Sequence, residues 1–330
     1  MANKIIMFFL MPKRTLYKKK LKNTTKWIVA TSYLFKEIMD NITRKQHFVP
    51  QFYLRQFIDT DNFLHCYRKT NGKRFPAHTD DICFREYGYE VNASFGNSKF
   101  LLPNEIEKMF RSLENEYNQV LKSILQKCIL NPNGHSLICT PHEKEVLASM
   151  VSNFLVRNFL AVEEHIDNEI TQDLLLNNEE VRDIDHLLRE MRLGDAKPLL
   201  ELAQKKSFLD PSQDGTAKFI SNALLGMNVS FFVADSINFI TSDCPVGYDC
   251  NSEELFMARM PLSTRVMVVY TQSKTSRFFR NKACLIKPCF VEKFNRDYLN
   301  WDVPQMLIAH SQKDITTLIG DTDCTFYQRR

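Results

Sequence analysis

NEIEKMFRSLENEYNQVLKSILQKC, residues 104–128, carries Ile106, Met109, Phe110, Leu113, Tyr117, Val120, Leu121, Ile124 and Leu125 along one face. That spacing keeps helical period over about seven turns, uninterrupted by glycine or proline. A second helix is announced by Thr140-Pro141-His142-Glu143, which reads as a capping box with proline in the first turn, followed by Val146, Leu147, Met150, Val151 and Phe154. Asn131-Pro132-Asn133-Gly134 lies between them. A break of that kind predicts a turn, so the two helices are expected to run antiparallel. Shorter helices are expected within 160–192, 196–207 and 216–227.

Working outward, the texture changes beyond Met227. Val229–Val233 and Ile237–Thr241 are β-rich and separated only by Ala234-Asp235-Ser236, which predicts a hairpin. Pro261–Tyr270 reads as one longer strand, and Val291–His310 as one or two helices broken near Pro304. Upstream, Phe63–Arg68 reads as a strand closed by the Asn71-Gly72 turn, and Pro50 with Tyr53, Leu54 and Phe57 as a short helix. The expected class is α+β: a long antiparallel helix pair in a mostly helical middle, packed against a small, mainly antiparallel sheet built from N- and C-terminal strands. Residues 39–330 read as a single domain.

Composition narrows the chemistry. The chain has 330 residues, 44% hydrophobic, with 25 phenylalanines and only 9 glycines. It shows no GxGxxG or GxxxxGK, so a dinucleotide fold or a P-loop is not expected. Nine cysteines form no CxxC pair, which argues against a zinc ribbon. Their odd number and scatter favour reduced thiols in a cytoplasmic protein. No stretch is long and apolar enough for a transmembrane segment. Residues 1–45 hold 11 Lys or Arg against Glu37 and Asp40, a net +9, while the remainder carries −5. Such a basic arm is suited to nucleic acid. Residues 1–38 are expected to be either a disordered extension or upstream sequence foreign to the native protein.

Two stretches set polar groups into apolar runs. The first is Gln46-His47-Phe48-Val49-Pro50-Gln51-Phe52-Tyr53-Leu54-Arg55-Gln56-Phe57; the second is Phe239-Ile240-Thr241-Ser242-Asp243-Cys244-Pro245. Together they resemble the bacterial domain-of-unknown-function family numbered 4238, whose members carry His-x-x-Pro-x-x-Tyr-Leu-x-x-Phe and later Phe-Ile-Thr-Ser-Asp-x-Pro. Ile106-Glu107, Glu114, Arg157, Pro261-Leu262-Ser263 and Asn295 look like further landmarks of that family. Cys244 departs from it, standing where the family more often has Asn. The resemblance implies a fold and no activity.

The polar positions frame two expectations about function. Arg157 falls on the apolar face of its helix, so its guanidinium needs an anion, from a structural carboxylate or a bound phosphate. Glu107 and Glu114, seven residues apart, stack on one helix face; Glu107 is also placed to close on the amide of the Asn104 cap. Asp243 follows two hydroxyls at a strand end, where it either serves chemistry or caps a turn with Thr241 and Ser242. His47 precedes a helix start, where Arg55 and the terminal amides would suit an anion. The leading expectation is a hydrolase of phosphoesters, such as a metal-dependent nuclease. In it His47, Arg157 and Asp243 are catalytic, Arg55 and Ser242 bind substrate, and Asp243 with Glu107 or Glu114 holds Mg²⁺ or Mn²⁺. The alternative is a non-catalytic nucleic-acid- or protein-binding module whose polar motifs form a structural network in the core.

Overall fold

The 104–128 periodicity and the Thr140 cap both appear as helices in a computed structural model of the chain, which describes residues 42–92, 99–134, 136–158, 162, 168–190, 194–250, 256–272 and 280–320. The basic arm, residues 1–38, lies outside the described residues. The chain runs through β1 (Lys45–His47), α1 (Gln51–Leu54), β2 (Leu64–Arg68), β3 (Lys73–Ala77), β4 (Phe84–Glu86), β5 (Val91–Asn92) and β6 (Phe100–Leu101) into α2 (Glu105–Leu130) and α3 (Pro141–Val156). Helices α4 (Asn168–Asn177), α5 (Glu179–Glu190), α6 (Lys197–Leu209) and α7 (Thr216–Leu225) follow. The C-terminal third contains β7 (Asn228–Ala234), β8 (Thr241–Ser242), β9 (Gly247–Cys250), β10 (Phe256–Pro261), β11 (Val266–Thr271), β12 (Ala283–Ile286), α8 (Pro288–Asn300), β13 (Met306–Ala309) and α9 (Gln312–Ile319). The class is α+β, as expected.

The described residues group into two compact units. One draws on the segments Met1–Gln46, Arg85–Ser112 and Val156–Ile220; the other on His47–Phe84, Leu113–Leu155 and Ser221–Arg330. Each unit is assembled from three separate stretches, so the division leaves no linker that a reading of 39–330 as one domain would register.

In the first unit β5 and β6 pair antiparallel, Val91 opposite Leu101. Helices α4 to α6 gather Val181, Ala196 and Leu200 with Leu174, Leu175, Ile184 and Leu188 into one apolar cluster. A polar knot sits beside the start of α2. Glu90 accepts from Gln46 Nε2 at 2.6 Å and from the Asn104 amide at 3.1 Å, while the Lys205 ammonium donates to the Glu90 carbonyl at 3.1 Å and contacts Glu201 at 3.2 Å. Burial raises the Glu90 carboxyl above its ordinary value, with the Gln46 and Asn104 hydrogen bonds working against the shift.

In the second unit the antiparallel helix pair forms as predicted. Tyr117 Oη meets Ser149 Oγ at 2.9 Å, and Lys127, ten residues further along α2, reaches back to Glu143 at 2.7 Å. The capping box at Thr140 is present: the Glu143 amide donates to Thr140 Oγ1 at 3.2 Å, and the Thr140 amide donates to Glu143 Oε2 at 2.8 Å. The connecting loop turns at Gly134, whose φ of +65° suits glycine; a Cβ there would lie 2.3 Å from the Ala283 carbonyl oxygen. Val146, Leu147, Ala148, Met150, Val151, Ser152, Asn153 and Phe154 are all buried, so α3 is a central helix rather than one with a single apolar stripe.

The strands of this unit form two main sheets, where the sequence suggested one. The larger has the order β12-β7-β11-β10-β9 and the smaller β3-β2-β13-β8. Three strand expectations are corrected. Val229–Val233 and Ile237–Thr241 make no hairpin, because β7 has β11 antiparallel on one edge and β12 parallel on the other, leaving no free edge; Thr241 pairs instead with Ile308 in the smaller sheet. Pro261–Tyr270 is not one strand: it bends at Leu262–Arg265, where the Leu262 amide donates to the Val266 carbonyl, so that Pro261 comes to face Met267. Residues 306–309 are strand rather than helix, sandwiched between β2 and β8, and their Leu307, Ile308 and Ala309 are fully buried. The return strand after Asn71-Gly72 is β3, which accommodates Pro76 because it lies at a sheet edge.

Candidate functional site

Within the second unit the two signatures meet through a tyrosine. Tyr53 is fully buried, its ring edge-on to Phe154 at 5.0 Å, and its hydroxyl lies 2.6 Å from Thr241 Oγ1 and 2.7 Å from the Pro261 carbonyl. A carbonyl only accepts, so the phenolic hydrogen goes to Pro261 and the Thr241 hydroxyl donates to Tyr53. One hydroxyl thus joins the His-x-x-Pro-x-x-Tyr stretch, the Phe-Ile-Thr-Ser-Asp stretch and the Pro-Leu-Ser entry. Burial pushes the Tyr53 phenol well above its ordinary value, so it stays protonated.

The other landmark residues here join the same shell. Asn295 accepts from the Ile240 amide at 3.1 Å and donates to the Asn238 carbonyl at 2.9 Å, satisfying the backbone where it passes from one sheet to the other. Ser242 Oγ donates to the Cys244 carbonyl at 2.7 Å and accepts from the Cys244 amide at 3.1 Å, which shapes the turn after β8. Tyr298 Oη donates to the Pro245 carbonyl at 2.5 Å, and Ser263 Oγ accepts from the Arg265 and Val266 amides at 3.2 Å.

Asp243 is the half-buried residue at the end of this turn. Its Oδ1 accepts from the Gln305 amide at 3.1 Å and the Met306 amide at 3.2 Å; among the described residues Oδ2 takes the longer Gln305 contact at 3.3 Å. Burial raises its carboxyl to about 6, against the opposing pull of those amides and of the Lys69 ammonium. Lys69 follows β2 beside the same end of β13. Its amide donates to the Gln305 carbonyl at 2.9 Å and its Nζ donates to the Trp301 carbonyl. Desolvation lowers the Lys69 ammonium, with Asp302 and Asp243 partly restoring it.

His47 closes β1 in this unit. Its Nε2 lies 3.5 Å from Gln51 Nε2, and its ring lies 5.7 Å from Phe84; Arg55 Nη2 donates to Gln51 Oε1 at 3.0 Å on the exposed side. The helix that follows is short: α1 has four residues, Pro50 is its cap, and the Tyr53 and Leu54 amides donate to the Pro50 carbonyl. The neighbourhoods of His47 and Asp243 adjoin at Cys83. The Phe48 amide donates to its carbonyl at 2.9 Å, while burial first, and then Asp243, Cys66 and Cys244, push its thiol well up. Cys66, Cys83, Cys128, Cys139, Cys244, Cys284 and Cys289 are free thiols.

Arg157 and Glu107 belong to the first unit, Glu114 to the second. Arg157 is 2% exposed, and its guanidinium carbon lies 3.6 Å from the centre of the Phe110 ring. The expected burial is therefore met, but α3 ends at Val156, so Arg157 stands one residue beyond the helix that was to carry it. Its carbonyl accepts from Tyr89 Oη at 2.9 Å. Glu107 occupies the first turn of α2 and Glu114 lies two turns further on, both half-buried. Glu105, rather than either of them, pairs with Lys206 at 2.8 Å. Among the described residues no group of three or more His, Cys, Asp or Glu side chains could hold a metal ion, and no helix is long and apolar enough to cross a membrane.

Tyr53, Tyr298 and Lys69 escaped the sequence reading of the site. Tyr53 and Tyr298 looked like core aromatics, and Lys69 like one more surface cation. Only the hydroxyl of Thr241 following the apolar Phe239-Ile240 hinted that a donor or acceptor lay opposite it.

Fold and site together define an α+β protein in whose second unit Tyr53, Thr241, Ser242, Pro261, Ser263 and Asn295 tie strand ends and turns into a hydrogen-bonded shell beside the half-buried carboxyl of Asp243. A family model described as "Protein of unknown function (DUF4238)" matches residues 45–318, and the chain belongs to that family. No curated protein and no solved structure matches the chain.

Proposed function

We propose that the protein is a hydrolase of phosphoesters in which Asp243 is the acid–base group and Lys69 the cation that meets the phosphate. The observation that carries this reading is the Asp243 carboxyl: it sits half-buried at a strand end, two amides converge on Oδ1 while Oδ2 takes the longer contact, and burial raises it to about 6. A carboxyl so tuned is mostly ionised at neutral pH and only weakly acidic, which suits a general base. It would take a proton from the attacking water as the new P–O bond forms and return it to the alkoxide oxygen as the ester P–O bond breaks, so that the alcohol leaves. The proposal gives proton transfer to Asp243 alone and leaves Arg157 to the core of its own unit. It routes no step through Mg²⁺ or Mn²⁺, because the described residues offer no set of ligands for one.

The test is turnover of bis(p-nitrophenyl) phosphate, RNA and plasmid DNA by the full chain between pH 5 and 8. Activity should rise through pH 6 and vanish in Asp243→Asn with the fold intact. Turnover that survives in that variant, or none on any substrate by the parent protein, overturns the reading.

The Tyr53–Thr241–Pro261 cluster supports a second reading, a non-catalytic module whose landmarks are structural and whose basic arm contacts nucleic acid. It predicts salt-sensitive RNA or DNA binding that is lost when residues 1–41 are removed. Binding unaffected by that deletion would exclude it.

A further inference from the structure

Two partly buried aromatic rings, Trp301 and Tyr248, flank the Asp243 turn, and Trp301 also packs against the core cluster of Ile240, Tyr298, Leu307, Ala309 and Ile315. Trp301 caps α8: its amide donates to the Asp297 carbonyl in the last helical turn, and its backbone then leaves the helix at ψ 129°. The indole lies edge-on to Tyr248 of β9, centroids 5.7 Å apart and planes at 83°, and 6.3 Å from Tyr298. Its position relative to the carboxyl is fixed twice over. Lys69 Nζ holds the Trp301 carbonyl, and four residues on, the Gln305 amide donates to Asp243. Tyr298 also holds the Pro245 carbonyl, two residues past Asp243. The partly exposed indole, the ammonium and the carboxyl are therefore held next to one another by one turn, 301–305, and the strand ends beside it.

We infer that this group binds a nucleotide, with the base stacked on Trp301, Tyr248 fixing the indole plane, and the phosphate at Lys69 beside Asp243. The inference rests on the phosphoester reading and names its substrate class. A planar base is the moiety that a half-exposed indole holds best, and stacking tolerates any base because each presents a π-face. A compact ammonium pairs with phosphate as a point charge. A phosphoester lacking a base would leave the aromatic pair unused.

Trp27 and Trp301 are the chain's 2 tryptophans, so in the full-length Trp27→Phe protein indole emission reports on Trp301 alone. That protein is titrated with AMP, UMP, adenosine and ribose 5-phosphate. AMP and UMP should quench saturably and ribose 5-phosphate should not. Tyr248→Leu should weaken AMP by freeing the indole plane, and Trp301→Leu, which removes the stacking platform, should weaken it more, roughly tenfold or beyond. Lys69→Met should weaken AMP by a clearly larger factor than it weakens adenosine, the difference reporting the phosphate contact beyond any loosening of Trp301. Trp301→Leu, followed by calorimetry, repeats the test should Tyr248→Leu fail to fold. No saturable quench by either nucleotide, or ribose 5-phosphate binding as tightly as AMP, overturns the inference. Asp243→Asn should still bind AMP. Nucleotide binding without turnover of any phosphoester would sink the hydrolase and leave the site standing, whereas turnover of bis(p-nitrophenyl) phosphate without nucleotide binding would do the reverse.

Discussion

Replacing Tyr53 with Phe removes one oxygen and leaves the ring, so it isolates the hydroxyl that joins three chain segments. The hydroxyl gives its hydrogen to the Pro261 carbonyl at 2.7 Å and accepts from Thr241 Oγ1 at 2.6 Å, with Tyr53 and Thr241 both wholly buried. Tyr53→Phe therefore strands a carbonyl acceptor and a hydroxyl donor in a dry interior, at about 1–3 kcal/mol for each buried group left unmade. A total of about 2–4 kcal/mol is expected. Thr241→Val differs in kind: Tyr53 keeps its acceptor at Pro261, only one hydrogen bond is lost, and the cost should be about 1 kcal/mol. The double variant should cost less than the two added together, since Thr241 has nothing to lose once the phenol is gone. Urea unfolding gives the values. Because a chain with two units need not unfold in one step, amide exchange at Ile308, which pairs with Thr241, should follow the same order. If Tyr53→Phe proves neutral, or milder than Thr241→Val, the assignment of the hydroxyl as the join between the signatures is wrong.

Asp243 makes a pH-dependent contribution of definite sign. Its carboxyl is raised from 3.8 to about 6, so its contribution to stability is fully present below about pH 4 and is lost as pH rises through 6. The loss is at most about 3 kcal/mol; subtracting the pH profile of Asp243→Asn should isolate it, and parallel profiles would refute it. Glu143 has the opposite sign. Burial would raise its carboxyl, but Lys127, Ser123 and the Thr140 amide outweigh that and bring it down to about 2, so its contribution is present above about pH 4.5 and lost as pH falls through 2. The Lys127 side chain is 36% exposed, so solvent screening cuts the expected cost of Glu143→Gln at pH 7 to about 1–2 kcal/mol, read as a shift in urea midpoint that shrinks towards pH 2. Gly134→Ala should destabilise by at least about 1 kcal/mol, from positive φ and the approach of Ala283; an unchanged midpoint would show that the loop relaxes freely.

Much of the helical part was legible because its signals are local. The α2 stripe and the Thr140–Glu143 box lie within a few turns of themselves, and both appear where the spacing put them. Strand partners were not legible. Ile237–Thr241 looked like the second arm of a hairpin because Ala234-Asp235-Ser236 is short, yet the edges of β7 are taken by residues 266–271 and 283–286. Met306–Ala309 carries no alternation to mark it as strand, since a strand with neighbours on both edges and fully buried Leu307, Ile308 and Ala309 shows only an apolar run.

The same divide runs through the candidate site. The sequence alone determined which positions break the apolar pattern, Thr241, Ser242 and Asp243 among them, because a polar side chain in an apolar run is visible without knowing its neighbours. It could not say what answers them. The partner of Thr241 lies 188 residues away at Tyr53, and the amides that hold Asp243 lie 62 and 63 residues away. Hydrogen bonds act over about 3 Å of space and take no account of distance along the chain, so only the tertiary structure decided that the hydroxyl of Tyr53 closes the core and that the carboxyl of Asp243 is left partly open beside Lys69 and Trp301.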